Sequence, residues 1–344
     1  MIEYVLKEPK CVEKLERDIP EPGPEEALIK IKYVGICGSD IHLFNGTYNG
    51  PHQYPMLFGH EWAGEVVRVG AKVTKVQPED VVTGDCSRYC GTCENCKSDQ
   101  NLCSHIEKFG ITIDGASAEY IVRNEKYLYK GGSDIEGKLL VLSEPVAVAA
   151  HLIEKVKRIC RGDIREKNIL VLGGGVIGMS AMMLLRNLCE CGKVDLFDLS
   201  GHRCEIARSA GAGIPDGDSL NVKAEDGNYA ALYEAAKYDI VLETTGVPSV
   251  FANAIHLLRP AGLLGCVGMA AKVEIPQKQI VTKSLTIVGS IGGTGDFPTA
   301  MKFVREFPDE AGKLISHYYP MNDVGEAFAM AKRTDVSMKV VLTL

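Results

Sequence analysis

Cys37-Gly38-Ser39-Asp40-Ile41-His42 is followed, after a stretch rich in Gly, Pro and aromatic residues, by Gly59-His60-Glu61. A thiolate, an imidazole and a carboxylate within one small lobe suit zinc, which accepts sulfur, nitrogen and oxygen ligands. Cys37, His60 and Glu61 leave a coordination position for water or substrate, as a catalytic zinc requires and a structural zinc does not. Further on lies Gly173-Gly174-Gly175-Val176-Ile177-Gly178. A Lewis-acid metal and a hydride carrier in one chain point to alcohol and ketone chemistry.

The spacing Gly173-x-Gly175-x-x-Gly178 gains its meaning from context. The apolar run Asn168-Ile169-Leu170-Val171-Leu172 leads in as a strand, a helix leads out, and Asp198 lies 20 residues past Gly178. Gly173 permits the tight turn, Gly175 lets backbone approach a pyrophosphate, and Gly178 lets helix and strand pack closely. Val176 and Ile177 open the helix, whose N-terminus attracts the diphosphate. Asp198 accepts from the adenosine ribose hydroxyls and repels a 2′-phosphate, which favours NAD over NADP. The alternative is a tight β–α turn beside an ordinary exposed aspartate. Arg203 either packs over adenine or caps a solvated helix face.

Cys90, Cys93, Cys96 and Cys103 form a second cluster. Successive CxxC steps suit a closed, four-sulfur structural zinc better than a disulfide ladder. The alternative is a metal-free lobe with a redox CxxC. Cys11, Cys160, Cys189, Cys191, Cys204 and Cys266 read as packing or surface thiols. Twelve reduced cysteines imply a reducing compartment.

Residues 1–150 are short β-like runs broken by Gly and Pro, such as Ala27 to Val34, Trp62 to Val69 and Ala118 to Val122. From about residue 147 the texture changes. Val146 to Val156 has helical spacing. Helices at Ile177 to Leu188, Arg203 to Ala210 and Val250 to Leu258 alternate with strands at Val194 to Phe197 and Asp239 to Leu242. Two more strands are expected near Gly262–Val267 and Leu285–Val288. That alternation predicts a doubly wound parallel sheet. The last strand is Lys339 to Leu342.

The chain has 344 residues, enough for two domains, with 46% hydrophobic and 24% charged residues. A net charge of -7 argues against nucleic acid or an anionic membrane as partner. No apolar stretch is long enough for a membrane span, and the N-terminus lacks a signal-peptide pattern, so a cytoplasmic protein is expected.

Cys37-x-Ser39-Asp40-x-His42, Gly59-His60-Glu61-x-x-Gly64, the CGxCxxC run and GGGVIG, in this order, resemble the zinc-dependent medium-chain dehydrogenase/reductase family. The resemblance covers essentially the whole chain. It implies a β-rich GroES-like catalytic domain, residues 1–146 plus 290–344, wrapped around an inserted Rossmann NAD-binding domain, residues 147–289. It implies that Cys37 and His60 ligate the catalytic zinc. Ser39 would receive the alcohol proton, His42 would pass it towards solvent through the cofactor ribose, and Asp40 would orient the ligands.

Where the family's alcohol dehydrogenases carry a second cysteine ligand, this chain has Ser143-Glu144-Pro145. That departure resembles the polyol (sorbitol-type) and threonine dehydrogenase branches, in which Glu61 ligates directly and Glu144 ligates or holds the zinc-bound water. The alternative for Glu144 is an exposed carboxylate. The four-cysteine run resembles the family's structural zinc lobe. It has one residue fewer between Cys96 and Cys103 than the common pattern, and Cys86 stands nearby as a spare.

The expected activity is NAD-dependent oxidation of a polyol or related secondary alcohol. Amino alcohols come next: threonine, or an aminocyclitol such as 2-deoxy-scyllo-inosamine, whose dehydrogenases the Tyr54-Pro55 to Trp62 stretch also resembles. A zinc-stabilised NAD-binding sensor without turnover is the alternative from another class, and the Ser39/His42 relay speaks against it. Phe109, Ser290 and Ile291 are the candidates for the substrate pocket. The resemblance implies a homodimer or homotetramer.

Overall fold

The computed structural model describes residues 1–132, 134–221, 233 and 236–344. The chain divides into two compact units, Met1–Ala147 with Gly292–Leu344, and Val148–Ile291.

The first unit is mostly antiparallel sheet, as its short alternating runs dictate. Its seven-stranded sheet runs Leu128–Lys130, Val81–Gly84, Glu61–Val69, Glu26–Ile36, Lys339–Thr343 and Ile315–Pro320, with Tyr120–Asn124 also paired to Glu26–Ile36. Ile29, Ile31, Val34, Trp62, Val66 and Val82 of the sheet are buried in one core with Phe328 of the helix Val324–Ala331. Register positions the chemistry. Gly35 opposes Glu61, and Ile36 opposes Val340. Cys37, Glu61 and Lys339 are thereby delivered to one end of three adjacent strands. A ribbon of Ser87–Arg88 paired with Glu107–Lys108 brackets the four-cysteine loop.

The second unit is a parallel sheet in the order Lys193–Phe197, Asn168–Leu172, Tyr238–Glu243, Leu258–Cys266, Thr286–Gly289. A single parallel bridge from Asp195 to Gly213 stands at the place of one more strand beyond Lys193–Phe197. Counted with it, the order is the 3-2-1-4-5-6 of a doubly wound dinucleotide-binding sheet. Leu170, Leu172, Val241 and Leu264 are buried between the helix layers.

The four helices begin one to three residues earlier than their apolar spacing predicts, two of them with a proline in the first turn. Ser143–Ile159 starts ahead of Val146 because Pro145 is tolerated in a first turn. Pro248–Leu257 opens on a proline, and Leu258 already belongs to the next strand. Among the described residues, no helix is long and apolar enough to cross a membrane.

Candidate active site

The helix Gly38–Asn45 begins at Cys37, and Asp40 secures that start. Asp40 Oδ2 accepts from the Cys37 backbone N–H at 2.9 Å, the return half of a capping box. Asp40 Oδ1 accepts from the Gly59 N–H at 3.2 Å and lies 3.6 Å from His60 Nδ1. Gly59 has φ of +83°, and a Cβ there would sit 2.5 Å from a Val34 methyl. No other residue fits that turn. One buried carboxylate thus fixes both loops that carry the soft ligands.

Ligand atoms of Cys37, His60 and Glu61 lie within 4.8 Å of one another. Among the described residues, His60 Nδ1 and Glu61 Oε1 are buried without a hydrogen-bond partner, and Glu61 Oε2 meets only Lys339. Buried unpaired polar atoms are costly, and a divalent cation answers this set, so these residues fit zinc. Ser39 Oγ is 3.4 Å from His60 Nε2. Burial pulls the His60 pKa down, but the charges of Asp40 and Cys37 outweigh it and hold the imidazole well above its ordinary value.

Lys339 was not foreseen from the sequence. It is 3% exposed, its Nζ lies 2.5 Å from Glu61 Oε2, and it donates to the Ile36 carbonyl at 3.1 Å. Burial lowers its pKa, and Glu61 more than reverses that. Gly35 leaves room for the pair: a Cβ there would stand 2.5 Å from Glu61 Oε2 and 3.3 Å from the Lys339 stem. The only sequence signal was a lysine leading the apolar run Val340-Val341-Leu342.

Glu144 is buried, not an exposed carboxylate, and stands outside the Cys37–His60–Glu61 trio. Its Oε1 accepts from the Cys86 thiol at 3.1 Å. Burial raises the pKa of Glu144, with His60 opposing, and pushes the Cys86 thiol up to about 12. Cys86 is therefore no spare for the four-cysteine lobe. The sulfurs of Cys90, Cys93, Cys96 and Cys103 gather by themselves within 4.8 Å of one another. Backbone N–H groups of Thr92 and Cys93 bring the Cys90 thiol down to about 5. The shorter step from Cys96 to Cys103 does not stop the set from closing.

His42 lies on the same helix as Ser39, is exposed, and engages Thr47 Oγ1 at 2.9 Å through Nδ1. Phe109 is packed structure: the Arg123 guanidinium covers its ring at 4.2 Å and Tyr127 meets it edge-on. In the second unit, Ser290 Oγ is buried without a partner among the described residues, and Ile291 is exposed.

The glycine turn has the required shape. Gly173 has φ of +99°, a Cβ on Gly178 would lie 1.9 Å from the Gly173 carbonyl oxygen, and Gly175 faces open space. Gly175 caps the helix Val176–Asn187, so Val176 and Ile177 form its first turn. Asp198 Oδ2 accepts from the Gly174 N–H at 2.7 Å, and Oδ1 from Ser200 at 2.8 Å. Arg203 Nη1 lies 3.7 Å from Asp198, and its Nε is buried and unpartnered, so Arg203 does not lie on a solvated helix face. The turn fits a dinucleotide phosphate.

Residues 23–133 match the alcohol dehydrogenase GroES-like domain family, and residues 176–306 the zinc-binding dehydrogenase family. The chain is 32% identical over 336 residues to sorbitol dehydrogenase from Halalkalibacterium halodurans, covering 95% of this chain and 94% of that protein. It is 30% identical over 322 residues to L-threonine 3-dehydrogenase from Saccharopolyspora erythraea, covering 91% and 90%. The crystal structure of an Escherichia coli CFT073 alcohol dehydrogenase complexed with NADH is similar at a TM-score of 0.88 and 26% identity, covering 100% and 99%. The chain belongs to the zinc-dependent medium-chain dehydrogenases and is an oxidoreductase that uses zinc and a nicotinamide cofactor.

Proposed function

We propose that this dehydrogenase oxidises a polyol or related secondary alcohol with NAD, and reduces the matching ketone in reverse. The observation that carries the polyol reading is the buried Glu144 at the position where the family's alcohol dehydrogenases have cysteine. The similarity to a sorbitol dehydrogenase supports it. The similarity to L-threonine 3-dehydrogenases keeps an amino alcohol, threonine or an aminocyclitol, as the second reading.

In this reading Cys37 and His60 hold zinc, with Glu61 or Glu144 as the carboxylate. Bound there, zinc supplies Lewis acidity that lowers the pKa of a hydroxyl or polarises a carbonyl. Ser39 Oγ, beside His60, takes the hydroxyl proton. His42, exposed on the same helix, passes it towards solvent. Asp40 keeps His60 oriented, and Lys339 keeps Glu61 charged. The Gly173–Gly178 turn seats the pyrophosphate, Asp198 selects an unphosphorylated ribose, and Arg203 flanks the adenine. Cys90, Cys93, Cys96 and Cys103 hold a second, structural zinc. A reducing cytoplasm suits twelve free thiols, and the family resemblance favours a homodimer or homotetramer.

The test is NADH production over polyols, sugar-alcohol phosphates, cyclitols and amino alcohols, before and after zinc removal. Zinc-dependent turnover highest on a polyol is expected. Turnover confined to amino alcohols would replace this reading with the second one, and undiminished turnover without zinc would refute both.

A further inference from the structure

We propose that Cys86 is a positioning residue for the zinc site: its thiol fixes Glu144 from behind, as the last donor of a hydrogen-bond chain that starts at Lys108. The inference rests on the reading that Glu144 serves the zinc.

Glu144 as a carboxylate has no hydrogen to give, so the 3.1 Å contact requires the thiol to donate. That engages one lone pair of Oε1 and leaves Oε2 the freer oxygen for a cation. Cys86 Sγ lies 3.7 Å from Ser87 Oγ. Ser87 Oγ in turn accepts from Lys108 Nζ at 2.6 Å. Lys108 has only donors, so the Ser87 hydroxyl hydrogen turns to the Cys86 sulfur or to the Asp85 carboxylate beside it. With the hydrogen on the sulfur side, ammonium, hydroxyl, thiol and carboxylate follow in one direction, each polarising the next.

The backbone beneath this chain is held as well. Ser87 and Lys108 are paired residues of the two-stranded ribbon, and the Phe109 N–H donates to the Cys86 carbonyl at 2.9 Å. Asp85 Oδ1 accepts from the Ser87 N–H at 2.9 Å and from Thr294 Oγ1 at 3.1 Å. Cys86 belongs neither to the four-sulfur set nor to the Cys37–His60–Glu61 trio, which argues for an outer role rather than ligation.

The test uses full-length protein with zinc kept in the four-cysteine lobe and either zinc or cobalt at the labile site, in wild type, Cys86→Ala and Cys86→Ser. Partners that orient a ligand are worth about 10–100-fold in metal affinity or activity, so Cys86→Ala should release labile zinc to a chelator that much faster, and Cys86→Ser should recover to within about threefold of wild type. Cys86→Ala should also shift the cobalt ligand-field bands and lower kcat more than it raises KM. The sulfur-to-cobalt charge-transfer intensity should stay at its wild-type value. Unchanged zinc release with unchanged bands would overturn the proposal. Loss of half the charge-transfer intensity would overturn it too, because Cys86 would then be a ligand. If Cys86→Ala does not fold, Lys108→Met breaks the chain at its other end and is judged by the same measurements. Wild type that holds labile zinc yet reduces no NAD with any alcohol would sink the functional reading, while the zinc-release comparison still decides the role of Cys86.

Discussion

Lys339→Met removes the cation paired with Glu61 and keeps an apolar stem of similar length. Glu61 is fully buried and Lys339 is 3% exposed, so little solvent screens the pair. Removing one member of a buried ion pair costs about 3–5 kcal/mol, because the survivor stays charged in a poor solvent for charge. The surroundings add to that cost, since Asp40 and Glu144 bring further negative charge to the same lobe. Zinc brings positive charge back. The penalty should therefore be largest in zinc-free protein and smaller in the loaded form. Linkage turns that difference into affinity: if zinc relieves about 1.4 kcal/mol, the variant binds labile zinc about tenfold more tightly than wild type. The assay is chelator competition at neutral pH, paired with denaturant unfolding of both forms. Equal destabilisation with and without zinc, or weaker zinc binding in the variant, would refute the view that lysine and metal compete for Glu61.

Asp198→Ala should lose most of the preference for NAD over NADP, read as the ratio of kcat/KM values; wild type using both equally would end that assignment. His42→Ala should slow alcohol oxidation most near neutral pH, by up to about 10²–10⁴-fold, with partial rescue by added buffer, and identical pH–rate profiles would rule out a shuttle. Because His60 in the zinc-free site holds its proton well above the ordinary range, zinc uptake must expel it. Proton release on binding, and affinity falling about tenfold per pH unit below that pKa, are expected in calorimetry at several pH values. Lys283, 1% exposed, donates among the described residues to the carbonyls of Ile255 and His256, and burial lowers its pKa to about 8. The unfolded chain then binds the extra proton between about pH 8 and 10.4, so stability should rise with pH across that window, by less than about 3 kcal/mol, and Lys283→Met should flatten the rise in denaturant midpoints.

The parts of the chain legible in the sequence are those whose constraint is local. A glycine at 173 or 178 answers for backbone angles and close approach within its own turn, so the spacing, together with the strand before it and the helix after it, carried the meaning. The four-cysteine lobe closes within one short loop for the same reason. The apolar runs of the second unit declared its parallel sheet because strands buried on both faces leave no polar alternation. What stayed hidden depends on chain crossings. Cys86 meets Glu144 across 58 residues, and it reads as a spare thiol because the four-cysteine run begins nearby, at Cys90. Lys339 reaches Glu61 only through the pairing of the last strand with Glu26–Ile36. That the Arg123 guanidinium lies over the Phe109 ring was hidden too, because aromatic type says nothing of which side the ring faces.

Asp40 touches the Cys37 amide, the Gly59 amide and the His60 ring with a single carboxylate. Its consequence concerns the order of events in the life of the protein. The ligands are gathered by the same contacts that close the helix start and the glycine turn, so the conformational entropy of assembling a chelate is lost during folding rather than at metal capture. With Cys37 and His60 as the proposed ligands, a site stripped of zinc is expected to reload without refolding, so that uptake by the folded protein should need no unfolding step.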